Sequence, residues 1–252
     1  MKIKVIESGS KGNCTIILLD YIKLIIDIGI SYKKLIKSLD DLHINIDEII
    51  GLLITHNHKD HINGLNTLLK KTNINLFIPK KMYKSLKTEI PELTEDRCIF
   101  IDDEDKILDV NLKLIHTSHD APFSIGYDII YKDKELVYIT DTGYLNRKIL
   151  NNIKNKDIYI IESNHDEKML MDGPYPRFLK ERVISDYGHL SNNTTAKYLQ
   201  KIIGDKTKYI VLAHLSETNN TEELALSTIK ELIKDKEIII ATQKEGTPLI
   251  EV

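Results

Sequence analysis

The sequence predicts an α/β (α+β) fold: two mixed β-sheets covered by helices on their outer faces. Two observations carry that expectation. Short apolar β-like runs recur along the chain, and helical patterns fall between them. A third observation bounds the size, because 252 residues at 42% hydrophobic composition are ample for a sizeable core in one large domain or two small ones. No Pro/Gly/Ser-rich linker, low-complexity tract or short-period repeat divides the chain, so a single domain over 1–252 is expected.

In chain order, the strand-like runs begin with Ile3 to Ser8, Cys14 to Leu19 and Lys23 to Ile28. Leu52 to Ile54, Leu76 to Ile78 and Cys98 to Ile101 follow, interleaved with helical patterns at Tyr32 to Leu42, His61 to Lys71 and Lys80 to Glu89. The second half brings Leu112 to Thr117, Ser124 to Tyr131, Glu135 to Thr140 and Asp157 to Glu162. Tyr209 to His214 and Glu237 to Thr242 end the series, with helices expected over Tyr175 to Ile184, Asn192 to Ile203 and Thr221 to Lys234.

Charge narrows the function classes. With 35 basic against 38 acidic residues the net charge is −3, which does not mark the whole surface as nucleic-acid binding and leaves a local positive site open. Met1 to Ser8 lacks the apolar core of a signal peptide, and no apolar run approaches membrane-spanning length. A cytoplasmic protein without membrane contact is the expectation. Cys14 and Cys98 are isolated from each other and from the histidines, so buried free thiols fit better than a disulfide or a cysteine zinc site.

The strongest chemical signal is Thr55-His56-Asn57-His58-Lys59-Asp60-His61, which follows the apolar run Ile49 to Ile54. An extended chain points residues two apart to the same side, so His56 and His58 can grip one ion. Asp60 and His61 come just after, on a strand-to-helix turn, and would face a second ion beside the first.

At these residues the sequence resembles the metallo-β-lactamase superfamily, whose hallmark is His-x-His-x-Asp-His. The resemblance implies an αββα sandwich and further ligands in a fixed order. His119 follows the run Leu112 to Thr117 and fits the third histidine of the first metal. Asp141 and His214 end two later strands and fit the bridging carboxylate and the last ligand. The implied centre holds two divalent ions: one on His56, His58 and His119, one on Asp60, His61 and His214, with Asp141 between them. Imidazoles and carboxylates without a thiolate suit zinc, manganese or iron. Such a pair shares a water, lowers its pKa and presents it as hydroxide, the nucleophile.

Around that centre, the resemblance makes Asp27 the residue that orients a ligand histidine, with a plain strand-end cap as the alternative. It also places the loop Ser8-Gly9-Ser10-Lys11-Gly12-Asn13 at the metal site, so Ser8, Ser10 and Asn13 are candidate substrate contacts. Composition alone fits a plain hairpin turn equally well. Gly188-His189-Leu190-Ser191-Asn192 puts an extra histidine before a helix that Ser191 or Asn192 would cap. A similar element marks the nucleases of the superfamily. With Glu162-Ser163-Asn164-His165, Gly173 to Lys180 and His214 to Asn220, the whole chain resembles the WalJ (YycJ) group of bacterial metallohydrolases.

That resemblance implies a 5′-directed exonuclease acting on DNA rather than RNA, linked to DNA repair or cell-wall signalling. Asp60, His189, Glu162 and Asp27 are its expected catalytic residues, with a cationic His189 held by Glu162 and acting on the leaving oxygen. His189 as a helix-capping neighbour without chemistry is the alternative. Substrate contacts are expected at His165, Ser191, Arg177 and Lys180, and Arg182 shares the basic segment; a solvated charge run is the bland reading of the latter three. An MBL-fold hydrolase of a small ester, lactone or thioester is the other enzyme class that these metals would serve.

Overall fold

The computed structural model describes residues 1–252. In the first sheet, β1 (Lys2–Glu7), β2 (Cys14–Leu19) and β3 (Ile22–Ile26) form an antiparallel meander. Parallel strands β4 (Gly51–Leu53), β5 (Asn75–Ile78) and β6 (Cys98–Phe100) extend it. The second sheet opens with the hairpin strand β7 (Glu104–Ile107), then the meander β8 (Val110–His116), β9 (Ile125–Tyr131) and β10 (Lys134–Ile139). It continues in parallel through β11 (Ile158–Glu162), β12 (Tyr209–Ala213) and β13 (Glu237–Ile240), while β14 (Ile250–Glu251) returns to pair with β1. Strand for strand, β1–β6 and β8–β13 follow one plan, three antiparallel then three parallel.

The first half also supplies α1 (Tyr32–Asp41), α2 (Lys59–Ile62), α3 (Leu65–Lys71) and α4 (Lys80–Glu89). The second supplies α5 (Arg147–Asn152), α6 (Glu167–Asp172), α7 (Arg177–Ile184), α8 (Asn192–Ile202) and α9 (Glu222–Leu232). Period-two alternation explains the layering. Along β10, β11 and β12, Leu136, Tyr138, Ile158, Ile160, Val211 and Ala213 join the core shared with the first sheet. Their neighbours Val137, Ile139, Tyr159, Ile161, Ile210 and Leu212 pack instead with Leu150, Leu199 and Ile229 of α5, α8 and α9. Strands buried on both faces read as continuous apolar runs. No helix is long and apolar enough to cross a membrane.

Four expectations need correction. The helix over His61 to Lys71 is two helices, because Gly64 donates to Ile28 O at 2.8 Å and a Cβ there would lie 2.1 Å from Ile30 O, so the backbone is drawn against the β3–α1 connection. β7 and the short β14 are strands the apolar pattern does not announce. Helices α5 and α6, six residues each, also fall outside it. Cys98 is half-buried, since it lies on the edge strand β6, whereas Cys14 is buried.

Candidate metal centre

The site is built on strand ends. β8 and β10 are both antiparallel to β9 and therefore run together, β11 and β12 are parallel to β10, and β3 and β4 are parallel to each other. Asp27 follows β3, the histidine cluster follows β4, His119 follows β8, Asp141 follows β10, Glu162 ends β11 and His214 follows β12. Every contributing residue thus sits at a carboxyl end, where open α/β sheets place their ligands. Asp27, Asp141 and His214 have φ of 59°, 52° and 54°. A left-handed residue other than glycine costs on the order of 1 kcal/mol or more, a cost that clusters at functional sites.

Two donor sets match the expected ligands, and Asp141, Glu162, His189 and His214 form a third group that overlaps the second. His56, His58 and His119 form a triangle of imidazoles with ring centroids 4.6, 4.9 and 5.1 Å apart. Asp60 Oδ2 lies 3.4 Å from both His61 Nε2 and His214 Nε2, and Asp141 lies 3.1 Å from His61 Nε2 and 3.4 Å from His214 Nε2. Asp141 Oδ1 also stands 3.8 Å from His119 Nε2, which puts this carboxylate between the sets. His56 Nε2 and Asp141 Oδ2 are buried and form no hydrogen bond. Buried polar atoms need partners, and divalent cations would satisfy both. Burial, then the neighbouring His61, holds His56 well below the usual imidazole range, so it is the neutral donor that a metal requires.

The surrounding residues fix the donors. Asp27, fully buried, accepts from Thr55 N at 2.8 Å and Thr55 Oγ1 at 2.9 Å, and its Oδ2 lies 2.7 Å from His61 Nδ1. That contact leaves Nε2 as the coordinating atom of His61. Asn13 Nδ2 lies 3.0 Å from His61 Nε2 and 3.3 Å from Asp60 Oδ2, and Ser8 Oγ accepts from His214 N at 2.8 Å. Glu162 Oε2 accepts from the backbone N–H groups of Thr142 and Leu190, at 3.0 and 3.2 Å. Its other oxygen lies 2.6 Å from His189 Nδ1 and 3.0 Å from His214 Nδ1. Although burial opposes its charge, His189 and then His214 bring Glu162 down to about 2. Burial likewise opposes a charged His189, but the Glu162 carboxylate raises it above the ordinary imidazole value.

A cleft of about 250 Å³ opens beside the donors, lined by Ser10, His119, Asp120, His189 and Arg182 among others. Of the residues expected to touch substrate, Ser10 and, from the basic segment, Arg182 line it. Ser8 and Asn13 are buried against the donors instead. His165 is buried and pairs by backbone with Ser191, whose hydroxyl caps α8 and donates to Glu167. Arg177 turns to Glu181 and Lys180 donates to Met171 O, leaving Arg182, which pairs with Asp120, as the basic residue at the cleft. Sequence reading missed the cleft wall formed by Tyr175, Leu179 and Val183. Leu179 and Val183, four apart on α7, carried the available signal, whereas Tyr175 precedes that helix.

Two sheets enclosed by helices, with imidazole and carboxylate donors gathered at one edge, define a metal-dependent hydrolase of the αββα type. A family model described as the beta-lactamase superfamily domain matches residues 26–215, and the chain belongs to that superfamily. It is 34% identical over 238 residues to exodeoxyribonuclease YycJ of Bacillus anthracis, covering 94% of this chain and 90% of the relative. It is also 34% identical over 232 residues to exodeoxyribonuclease WalJ of Streptococcus pneumoniae serotype 2, covering 90% of this chain and 86% of the relative. The Zn2+-bound PqqB from Methylobacterium extorquens shares the fold over 100% of both chains, with a TM-score of 0.78 at 13% identity.

Proposed function

We propose that this hydrolase is a 5′-directed exonuclease on DNA that works with two divalent ions. The observation that carries the reading is the Glu162–His189 pair, which supplies none of the seven expected ligands, touches them through His214 and presents His189 to the cleft. The exodeoxyribonuclease names of the two 34% identical relatives support the choice of DNA.

His56, His58 and His119 would hold one ion, Asp60, His61 and His214 the other, and Asp141 would touch both. Divalent ions there would supply an activated water at neutral pH and offset the phosphate charge. The chain's own residues do the rest. Asp27 keeps His61 facing inward, and Asn13 positions Asp60. Hydrolysis adds water to phosphorus, releases one of its protons to solvent and breaks the P–O3′ bond. With Nδ1 committed to Glu162, His189 Nε2 is the atom that delivers a proton to the departing oxygen.

End-labelled DNA and RNA digested with zinc, manganese or iron, beside a thioester and lactone panel, test this. A 5′ label on DNA should appear first in mononucleotides. Label released from the 3′ end first, or turnover confined to the thioester or lactone panel, would reject the proposal.

A further inference from the structure

The cleft lining is mixed: Tyr175, Leu179 and Val183 are its apolar residues, and Asn164 and Ser216 stand among its polar ones. Tyr175 lies between Pro174 and Pro176. A residue before proline is restricted to extended conformations and each proline fixes its own φ, so the tyrosine backbone is held in place before any ligand arrives. Asn164 Nδ2 donates to His214 O at 2.9 Å, which sets the orientation of the amide, and its Oδ1 is left without a donor from the chain.

We propose that this cleft is the subsite for the nucleobase of the terminal nucleotide, stacked on Tyr175 with its polar edge toward Asn164 and Ser216. The inference rests on the nuclease reading. In 5′-directed hydrolysis the departing O3′ belongs to the nucleotide being released, and His189, which serves that oxygen, lines the same cleft. The base of that nucleotide therefore lies within the reach of one sugar from His189. A cleft of about 250 Å³ is smaller than the roughly 300 Å³ at which pockets for drug-sized ligands begin, so it receives one base and not a base pair. The substrate end is single-stranded or opened when it enters. Stacking accepts any base, since every base has a π-face, so the subsite reads the presence of a base and not its identity.

The test uses the metal-loaded full chain and calorimetric titration with two probes, 5′-dAMP and 2-deoxyribose 5-phosphate, which share the phosphate and differ in the base. Wild type should bind 5′-dAMP about 5- to 100-fold more tightly, the range expected for one base stacked on an aromatic ring. Tyr175→Ala should erase most of that ratio, and Tyr175→Phe should keep it. Equal binding of the two probes by wild type overturns the subsite, whether or not the alanine variant folds. So does an unchanged ratio in a folded Tyr175→Ala. Failure of the nuclease reading looks different: wild type releases no mononucleotide from any DNA while the probe ratio stands.

Discussion

His189 Nδ1 lies 2.6 Å from Glu162 Oε1, and this hydrogen bond ties a residue of the cleft to a carboxylate that also holds the donor His214. His189 itself belongs to neither donor set of the two-ion reading. His189→Ala should therefore keep its metals and fold while losing about 10²- to 10⁴-fold in turnover of DNA. A p-nitrophenyl phosphodiester, whose leaving group needs no proton, should lose much less. Equal losses on both substrates, or a missing ion in the variant, would refute the leaving-group role.

Asp141 stands between the donor sets, so Asp141→Ala should lower the occupancy of both ions. Elemental analysis of reconstituted wild type should give about two ions per chain, because His56, His58 and His119 form one donor group and Asp60, His61, Asp141 and His214 another. A wild type that is fully active with one ion contradicts the paired arrangement.

Asp27 acts through His61. Asp27→Asn puts an amide where the carboxylate accepts from His61, and metal affinity should fall about 10- to 100-fold, as for other partners of ligand histidines. Competition with a chromophoric chelator measures it, and unchanged affinity would show that Asp27 is only a strand-end cap.

Arg182 and Arg177 should behave differently although five residues apart. Arg182→Ala should reduce the slope of log affinity for DNA against log salt by about one, the signature of a lost phosphate contact. Arg177, 91% exposed and paired with Glu181, should leave it unchanged. Equal slopes for both variants would remove Arg182 from the interface.

Gly64→Ala should destabilise the protein by about 1–3 kcal/mol, since the new methyl meets the Ile30 carbonyl at 2.1 Å and something must shift. Urea unfolding would read it, and a stability equal to wild type would show that the loop yields freely.

Much of this architecture is legible in the sequence because its strands are buried on both faces and appear as unbroken runs such as Ile158 to Glu162. The donors are legible because each stands just beyond such a run. β7 is not, since Glu-Asp-Lys-Ile is mostly charged and only Ile107 of its four residues reaches the core. Nor is the direction of α7: Arg177, Lys180 and Arg182 look alike as charges, and only the helix face decides which reaches the cleft. Ser8 and Asn13 were legible as neighbours of the site, but their hydrogen-bonding capacity is spent on donors.

Neither sheet owns a complete set of donors. His56 and His58 lack His119 until the second sheet is in place, and Asp60 and His61 likewise lack Asp141 and His214. Ion affinity would therefore be affinity for the docked sandwich, and an ion held there would act as a clasp across its seam, adding stability only to chains in which both halves have closed.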